Sequence, residues 1–282
     1  MIFMVLILFL FPSPSPGEEK DAAQSSLFNR DHLNVFTILI MFSILFISFL
    51  FLSRKGRTLY LRKLEGIAAI EEAVGRATEM GRPVLFVPGI DNIDEIQTLA
   101  GIAVLSHVAK IVARFDSTII VPTRNAIVLS VCEETVKESF TAAGRPDAYK
   151  SDNIRYLSDD QFAFTAAVDG IMLREKPATN IYMGCFYAEA LILSETGFST
   201  GAIQVAGTAS IAQLPFFVAA CDYTLLAEEF YAASAYLSKD PKVLSSVKAS
   251  DYFKIITIAA IILGIILANV DLEVVPLLQK IF

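Results

Sequence analysis

The sequence predicts an α/β protein in which a Rossmann-like domain, built on a mostly parallel sheet, lies between two transmembrane helices. The first observation is that short apolar segments alternate with helical ones between residues 83 and 194. The second is that long uncharged apolar segments flank this region. The third is composition. A mean hydropathy of +0.55 is high for a soluble protein, whereas 19% charged residues are too many for a largely membrane-embedded transporter.

Two segments are long and apolar enough to cross a bilayer. "VFTILIMFSILFISFLFL" supplies 18 uncharged residues and predicts a transmembrane helix over 35–53, and "YFKIITIAAIILGIILANV" predicts a second over 252–270. Arg54, Lys55 and Arg57 follow the first segment, and Lys254 stands at the start of the second. Because basic residues stay on the cytoplasmic side, residues 54–251 are expected in the cytoplasm of a cell-membrane protein, with both termini outside.

The ends of the chain carry little sign of a fold. Residues 1–17 begin with "MIFMVLILFLF", which resembles the apolar region of a signal peptide, and an uncleaved third membrane segment is the alternative. Residues 18–34 are polar and predict an external linker, and residues 271–282 predict a short external tail.

Strands and helices alternate through the central region, and such alternation favours a parallel sheet covered by helices on both faces. An amphipathic helix is expected first, with Leu61, Leu64, Ile67, Ile70 and Val74 at helical spacing and an end at Gly81. Strands are then predicted at 83–89, 117–123, 153–158 and 179–186, and helices at 94–115, 126–144, 159–176 and 188–194.

The stretch "TGFSTGAIQVAGTASIAQLPFFVAAC", residues 196–221, has no charge and two interpretations. Its glycines, glutamines and proline favour a strand over 201–207, a turn, and a helix opened by Thr208 and Ser210. A membrane or re-entrant segment is the alternative, and it would invert the last helix. Under the first interpretation, Gly207 is expected where a side chain would clash or a positive φ is needed.

Charge and cysteine content exclude several classes of function. The net charge of −7 disfavours nucleic acid as a partner, because phosphate binding needs a basic surface. Cys132, Cys185 and Cys221 are widely spaced in apolar contexts and predict buried free thiols. The two histidines stand far apart, so no metal site is predicted.

The segments "CDYTLLAEEFYAASAYLS" (221–238) and "LYLRKLEGIAAIEEAVGRATEMGRPVLFVPGI" (59–90) resemble a family of uncharacterised bacterial membrane proteins, known as a domain of unknown function. The resemblance covers the central region and the last helix. It implies a prokaryotic membrane location, and it supplies neither catalytic residues nor a substrate.

Ligands of doubly wound sheets bind beyond the carboxyl ends of the strands. Four such ends carry small or polar residues: "VPGIDN", "VPTRN", "MGCF" and "VAGTAS". The candidate ligand-binding residues are Gly89, Thr123, Arg124, Asn125, Gly184, Gly207, Thr208 and Ser210.

A structural role competes with binding at each of these ends. Asp91, Asp94 and Glu95 crowd a helix start, where they would repel a phosphate and are expected to cap the helix and complement its dipole. A role for Asp91 in holding a ribose or a metal is the alternative. Arg124 suits an anion site, although an exposed arginine beside a helix cap is the simpler interpretation. Neither GxxxxGK[ST] nor GxGxxG occurs in the chain, and Cys185 has no base nearby in sequence. No catalytic residue is therefore assigned.

The last membrane helix carries Ala260, Gly264 and Ala268 at every fourth position, which favours close packing against another helix in lipid. Together these patterns indicate a membrane-anchored, self-associating scaffold or ligand-sensing module. Its expected partners are membrane lipid, further copies of itself and other membrane subunits. A nucleotide-dependent membrane-bound enzyme is the alternative, and the sequence identifies no cofactor.

Overall fold

A computed structural model describes residues 33–54, 65–238 and 240–269. The predicted signal peptide and the predicted external tail lie outside these residues, as does nearly all of the predicted linker. The chain divides into two compact units, one of which holds the first and last helices, and the other residues 60–240.

The first unit contains two long helices that pack on each other. Helix α1 covers Leu33–Arg54 and α9 covers Pro241–Asn269. The rings of Phe42 and Phe253 meet edge to face at 5.8 Å. Helix α9 begins eleven residues before the predicted position 252, because the polar residues that follow Pro241 continue the same helix. Pro241 stands at its first position, where proline needs no backbone partner.

The second unit is a three-layer α/β domain. Its strands are β1 Val84–Val87, β2 Ile119–Thr123, β3 Ile154–Tyr156, β4 Thr179–Met183, β5 Ile203–Thr208 and β6 Tyr223–Leu226. Its helices are α2 Glu65–Glu79, α3 Ile96–Arg114, α4 Ala126–Ala142, α5 Gln161–Glu175, α6 Glu189–Ser199, α7 Leu214–Ala220 and α8 Glu228–Ser238.

All six strands are parallel and stand in the order β3-β2-β1-β4-β5-β6. This order confirms the predicted parallel α/β architecture and is that of dinucleotide-binding sheets. The chain reverses its direction of strand addition between β1 and β4. The carboxyl ends of these two strands therefore define the place where a ligand is expected.

Side chains on the two sheet faces enter separate cores, because neighbouring residues of a strand point in opposite directions. From β1, Val84 and Phe86 join the core beneath α2, α3, α4 and α8, whereas Leu85 and Val87 join the core beneath α5, α6 and α7. Since both faces are covered, the four residues of β1 are apolar and buried on both sides, as doubly buried strands are.

The uncharged stretch 196–221 forms the end of α6, strand β5, a turn and α7. The strand-turn-helix prediction is confirmed and the membrane alternative for this stretch is wrong. The predicted caps are also wrong. Helix α7 begins six residues after Thr208, and the carbonyl of Ser210 accepts the Gln213 and Leu214 amides across the turn.

Strand β6 and helix α8 were not predicted as separate elements. Ala227 joins them at a positive φ of 43°, and its amide donates to the carbonyl of Thr208 at the end of β5. Residues 223–238 contain no glycine or proline, so no local signal marked this turn. The turn depends on the pairing of β6 with β5.

Length and apolarity alone pick out one described helix that could cross a membrane, α3, and 56% of the relevant window is buried inside the α/β unit. Val104, Leu105 and Val108 of this helix lie in the core, so α3 is a core helix of the sheet. A shorter apolar helical segment covers Ile38–Phe51 within α1. The two predicted transmembrane helices stay predictions.

Candidate functional site

The connections that follow β1 and β4 meet at the reversal point of the sheet and touch through their backbones. Gly89 has a φ of +84°, and a Cβ built there would lie 2.7 Å from the carbonyl oxygen of Cys185. Gly184 has a φ of +149°, and its Cβ would lie 2.4 Å from the carbonyl oxygen of Pro88. The Ile90 amide also donates to Cys185 across the gap, at 3.0 Å. We call this the switch-point contact, formed by residues 88–90 and 184–185.

The switch-point contact lies at the carboxyl ends of β1 and β4, the region where doubly wound sheets bind ligands. Helix α3 closes the same region from above, because a Cβ on Gly101 would lie 2.3 Å from the carbonyl oxygen of Met183. The glycines at 89 and 184 thus allow two protein segments to approach each other. In dinucleotide-binding folds, glycines at this position instead allow a phosphate to approach the backbone.

The start of α3 is poorly suited to an anion. Its first residue is preceded by Glu95, whose side chain makes no capping hydrogen bond. Asp91 is also no cap, since its carboxylate faces the Tyr187 hydroxyl at 3.5 Å. The predicted capping role of these carboxylates is therefore wrong for Asp91 and Glu95. Their negative charge still opposes phosphate binding at this helix start.

Residues 123–125, at the end of β2, hold neighbouring segments together. Arg124 donates to the carbonyl oxygens of Ile90 at 3.0 Å and Asp159 at 2.7 Å. It thereby links the connections after β1 and β3. Asn125 caps α4 by accepting the Ile127 and Val128 amides. Because the Arg124 guanidinium donates to backbone carbonyls, fewer of its N–H groups remain to bind an anion.

Thr123 and Asn125 make further contacts within the protein. The Thr123 hydroxyl donates to the carbonyl of Arg155 on the neighbouring strand, at 3.3 Å. The Asn125 side-chain amide donates to the side-chain oxygen of Asn92 at 2.8 Å. The polar groups at this strand end are therefore used to connect three loops.

The turn after β5 is also satisfied internally. Gln97 of α3 accepts from the Ala209 amide at 2.9 Å and from the Thr208 hydroxyl at 3.3 Å. The Ser210 amide donates to the same Thr208 oxygen at 3.2 Å. Backbone amides that a phosphate would need already have protein acceptors. Gly207 lies just before them at an ordinary φ, packed against Met183 and Phe230.

Cys185, beside the switch-point contact, belongs to a small acidic cluster. Burial raises the pKa of its thiol to about 12, with the neighbouring Asp91 carboxylate adding to the effect. The pKa of Tyr187 is also raised to about 12, chiefly by its hydrogen bond with Cys185. A thiol that stays protonated is a poor nucleophile. The other two thiols, Cys132 and Cys221, are likewise free with pKa values raised to about 12 by burial.

The buried carboxylate of Glu189 completes this acidic end of the sheet. It accepts the Tyr187 amide at 2.7 Å and the Gln161 side-chain amide at 2.5 Å. Among residues 33–54, 65–238 and 240–269, no three or more His, Cys, Asp and Glu side chains are grouped to hold a metal.

A second polar cluster, which sequence reasoning missed, lies inside the core beneath α5, α6 and α7. The Tyr182 hydroxyl is 3.0 Å from the carbonyl of Leu193 and 2.9 Å from the side-chain oxygen of Gln204. Both side-chain atoms of Asn180 are buried without a hydrogen-bond partner among the described residues. Asn180 and Tyr182 stand two residues apart on β4 and thus share a face. This two-residue spacing of polar side chains is the sequence pattern that could have predicted the cluster.

Asp169 of α5 borders the same cluster. Burial raises the pKa of its carboxyl to about 6, and a hydrogen bond with Thr196 offsets part of the effect. One carboxyl oxygen, Oδ1, is buried with no partner in the described part of the chain. The cluster therefore contains a carboxyl whose pKa, about 6, lies well above that of an exposed aspartate.

Ala260, Gly264 and Ala268 lie within α9, in a part of the helix whose side chains fall outside the description. Their predicted packing role stays a prediction.

The structure brings Gly89 and Gly184 into contact and places Gly207, Thr208 and Ser210 at the end of the next strand, β5. Thr123, Arg124 and Asn125 stand on the other side of β1.

Comparison with known proteins gives one family. Neither the curated proteins nor the solved structures gave a match. A family described as a domain of unknown function, DUF6754, matches residues 23–278. The match includes both long helices and the whole α/β unit, so the chain belongs to this family.

Proposed function

We propose that the chain is a membrane-anchored, self-associating scaffold with a cytoplasmic Rossmann-like domain. The observation that carries the proposal is the apolar surface of the α1 and α9 pair. Leu39, Ile44 and Phe51 of α1 and Ile255 and Ile258 of α9 are each more than half exposed. An exposed apolar surface of this kind is costly in water and is favourable in lipid.

The dimensions of α1 support a membrane position. Its 22 residues carry no charge before Arg54. At about 1.5 Å per residue they extend about 33 Å, which matches the roughly 30 Å of a bilayer's hydrocarbon core. Arg54 at its end and Lys248 and Lys254 in α9 favour a cytoplasmic position for residues 60–240, because basic residues remain on that side.

The switch-point contact favours a scaffold over a nucleotide-dependent enzyme. A nucleotide at the usual position would have to separate the segments around Gly89 and Gly184. The Ile90–Cys185 hydrogen bond would then be lost. The acidic cluster of Asp91 and Glu189 adds an electrostatic cost for phosphate.

The proposed site of self-association is the outer surface of α6 and α7, and its occupant is a second copy of the chain. Phe198 is 72% exposed and Val218 is 57% exposed. Between Pro177 and Ser238 the sequence has no Lys or Arg. Such a surface lacks the lysine and arginine side chains that help to keep protein surfaces apart. Self-contact would bury apolar area on both copies at once.

The experiment uses the full chain produced in cells. Alkaline carbonate should leave it in the membrane pellet, and native mass spectrometry after detergent extraction should give a multiple of the chain mass. The double variant Phe198→Glu/Val218→Glu should reduce that mass to one chain, because it places charges in the apolar contact.

Ile127→Glu is the matched control, since Ile127 is also exposed but lies on α4 in the other half of the sheet. It should leave the mass unchanged. Release of the chain by carbonate would refute the membrane anchor. A wild-type mass of one chain would refute self-association, and an equal effect of Ile127→Glu would refute the α6–α7 surface.

A further inference from the structure

The two edge strands of the sheet are protected to different degrees. Strand β3 carries Arg155, whose guanidinium donates to the carbonyl of Asp152 at 2.8 Å and to the carboxylate of Glu175 at 2.7 Å. Strand β6 consists of four uncharged residues and pairs with β5 alone among the described strands. Because charged side chains help to keep an edge strand from pairing with another chain, β6 is the edge better suited to such pairing.

The backbone of β6 points donors and acceptors away from β5. The Ala227 amide donates to the carbonyl of Thr208 on β5 at 3.0 Å, so Leu225, two residues before it, also directs its backbone towards β5. Thr224 and Leu226 therefore direct theirs to the open edge. The Leu226 amide agrees with this direction, since it donates to the Glu229 side chain at 3.4 Å. Outside the pairing with β5, no described residue forms a backbone hydrogen bond with Thr224.

An antiparallel strand can satisfy these groups, and a second β6 is such a strand. We propose that β6 pairs with β6 of a second copy about a two-fold axis at Thr224, which joins the two sheets into one. Thr224 then exchanges amide–carbonyl hydrogen bonds with Thr224 of the second copy. The inference rests on the self-association proposed above and identifies its central contact.

Charge favours this register over the neighbouring one. Pairing about Thr224 sets the exposed Asp222 opposite Leu226 of the second copy. Pairing about Leu225 would instead set Asp222 opposite Glu228, and like charges directly opposite each other destabilise a pair of strands. The Asp222 carboxylate is held at the start of β6, because it accepts the Gln204 amide at 2.8 Å.

Helix α7 extends the contact on one face of the sheet. The Thr224 hydroxyl donates to the carbonyl of Phe217 at 3.4 Å, which ties α7 to β6. Phe216 and Val218 of this helix are 37% and 57% exposed. A two-fold axis perpendicular to the joined sheet keeps the α7 helices of both copies on the same face. Contact between them would bury apolar area from both copies.

The first test is cysteine cross-linking of the full chain in membranes of the producing cells, followed by non-reducing electrophoresis. Thr224→Cys should give a disulfide-linked dimer on mild oxidation. Directly opposed, hydrogen-bonded residues have Cα atoms about 5.5 Å apart, and disulfides span ~4.4–6.8 Å.

Leu226→Cys is the matched control, because Leu226 is 44% exposed on the same strand. In the proposed register its Cα lies roughly 14 Å from that of its counterpart, at about 3.4 Å per residue along the strand. It should therefore give no more dimer than the wild type, which accounts for the native thiols Cys132, Cys185 and Cys221.

The second test is native mass spectrometry after detergent extraction. Thr224→Pro removes the amide that donates across the edge and should reduce the mass to one chain. Proline is tolerated in an edge strand where the amide faces outwards. Thr224→Ala keeps the amide and should leave the mass unchanged.

The outcomes separate this inference from the proposed function. A wild-type mass of one chain would refute self-association itself. A wild type of several chains would overturn only the β6 contact if Thr224→Cys cross-links no more than Leu226→Cys does. The same conclusion would follow if Thr224→Pro kept the wild-type mass.

Discussion

The carboxyl and amino ends of the same six-stranded sheet differ in what their connections leave open. At the carboxyl ends of β1 and β4, Gly89 and Gly184 bring two backbones together. At the amino ends of β2 and β3, the long connection through Gly144 and two short 3-10 turns leaves a cavity of about 230 Å³. Strand order alone therefore does not decide which end of the sheet is open, because glycine placement and loop length also contribute.

Glycine substitutions at the two ends of the sheet should show the largest difference in the free energy of unfolding. Gly184→Ala places a Cβ 2.4 Å from the Pro88 carbonyl oxygen, against backbone that cannot easily move. We expect the free energy of unfolding of the α/β unit to fall by about 3 kcal/mol or more, from overpacking and backbone strain together. Urea unfolding of the full chain in detergent measures the change.

Gly144→Ala is the matched control at the amino end. Gly144 has a φ of +78°, but no atom lies within 4 Å of the added Cβ. Only the left-handed backbone penalty of about 1–2 kcal/mol should remain. Equal losses in the two variants would show that the switch-point contact is not tightly packed.

Gly207→Val tests the next strand end and should have an intermediate effect. The first atom of the new side chain would lie 2.6 Å from the Met183 sulfur and 3.0 Å from a ring carbon of Phe230. Both contacts are with side chains, and a thioether can shift, so we expect a loss of about 1–3 kcal/mol. The free energy of unfolding is again the measurement.

The control for this variant is Gly75→Ala on α2, where the added Cβ has open space. It should raise the free energy of unfolding by up to about 1 kcal/mol, because alanine favours a helix over glycine. A loss in Gly75→Ala as large as in Gly207→Val would contradict the assigned clash.

The smallest effect on stability is expected from a substitution of Asp169, which borders the polar cluster beneath α5, α6 and α7. Its pKa of about 6 in the folded chain lies above the ordinary value of 3.8. Between these values the folded state binds more protons than the unfolded state, so this carboxyl favours folding as pH falls from 7 towards 4. At pH 7.5, Asp169→Asn should raise the melting temperature by a few degrees.

The melting-temperature difference between Asp169→Asn and the wild type should shrink as the pH is lowered to 5, because the wild-type carboxyl is then protonated. Thermal unfolding at a series of pH values measures this difference. Asp152→Asn is the control, since Asp152 is an exposed carboxylate and its variant should show no such trend. A difference that grows on acidification would contradict the burial of Asp169.

Local sequence patterns predicted the elements whose ends are marked by capping residues or glycines. Asp160 caps α5, which was predicted over 159–176, and Gly144 follows α4 at a positive φ. Strand β6 escaped prediction because its four residues are recognised through pairing with β5. The roles of Thr208 and Ser210 were misassigned for a related reason, since Gln97, more than a hundred residues away, decides where the Thr208 hydroxyl points.

The sequence by itself determined the alternation of strands and helices, the parallel sheet and the free thiols, because hydrophobic periodicity and turn residues act over a few neighbours. Only the tertiary structure decided the strand order and which segments meet at the ends of the strands. Gly89 and Gly184 are compatible with a ligand cradle when each is considered separately. The two backbones meet because β1 and β4, distant in sequence, are adjacent in the sheet.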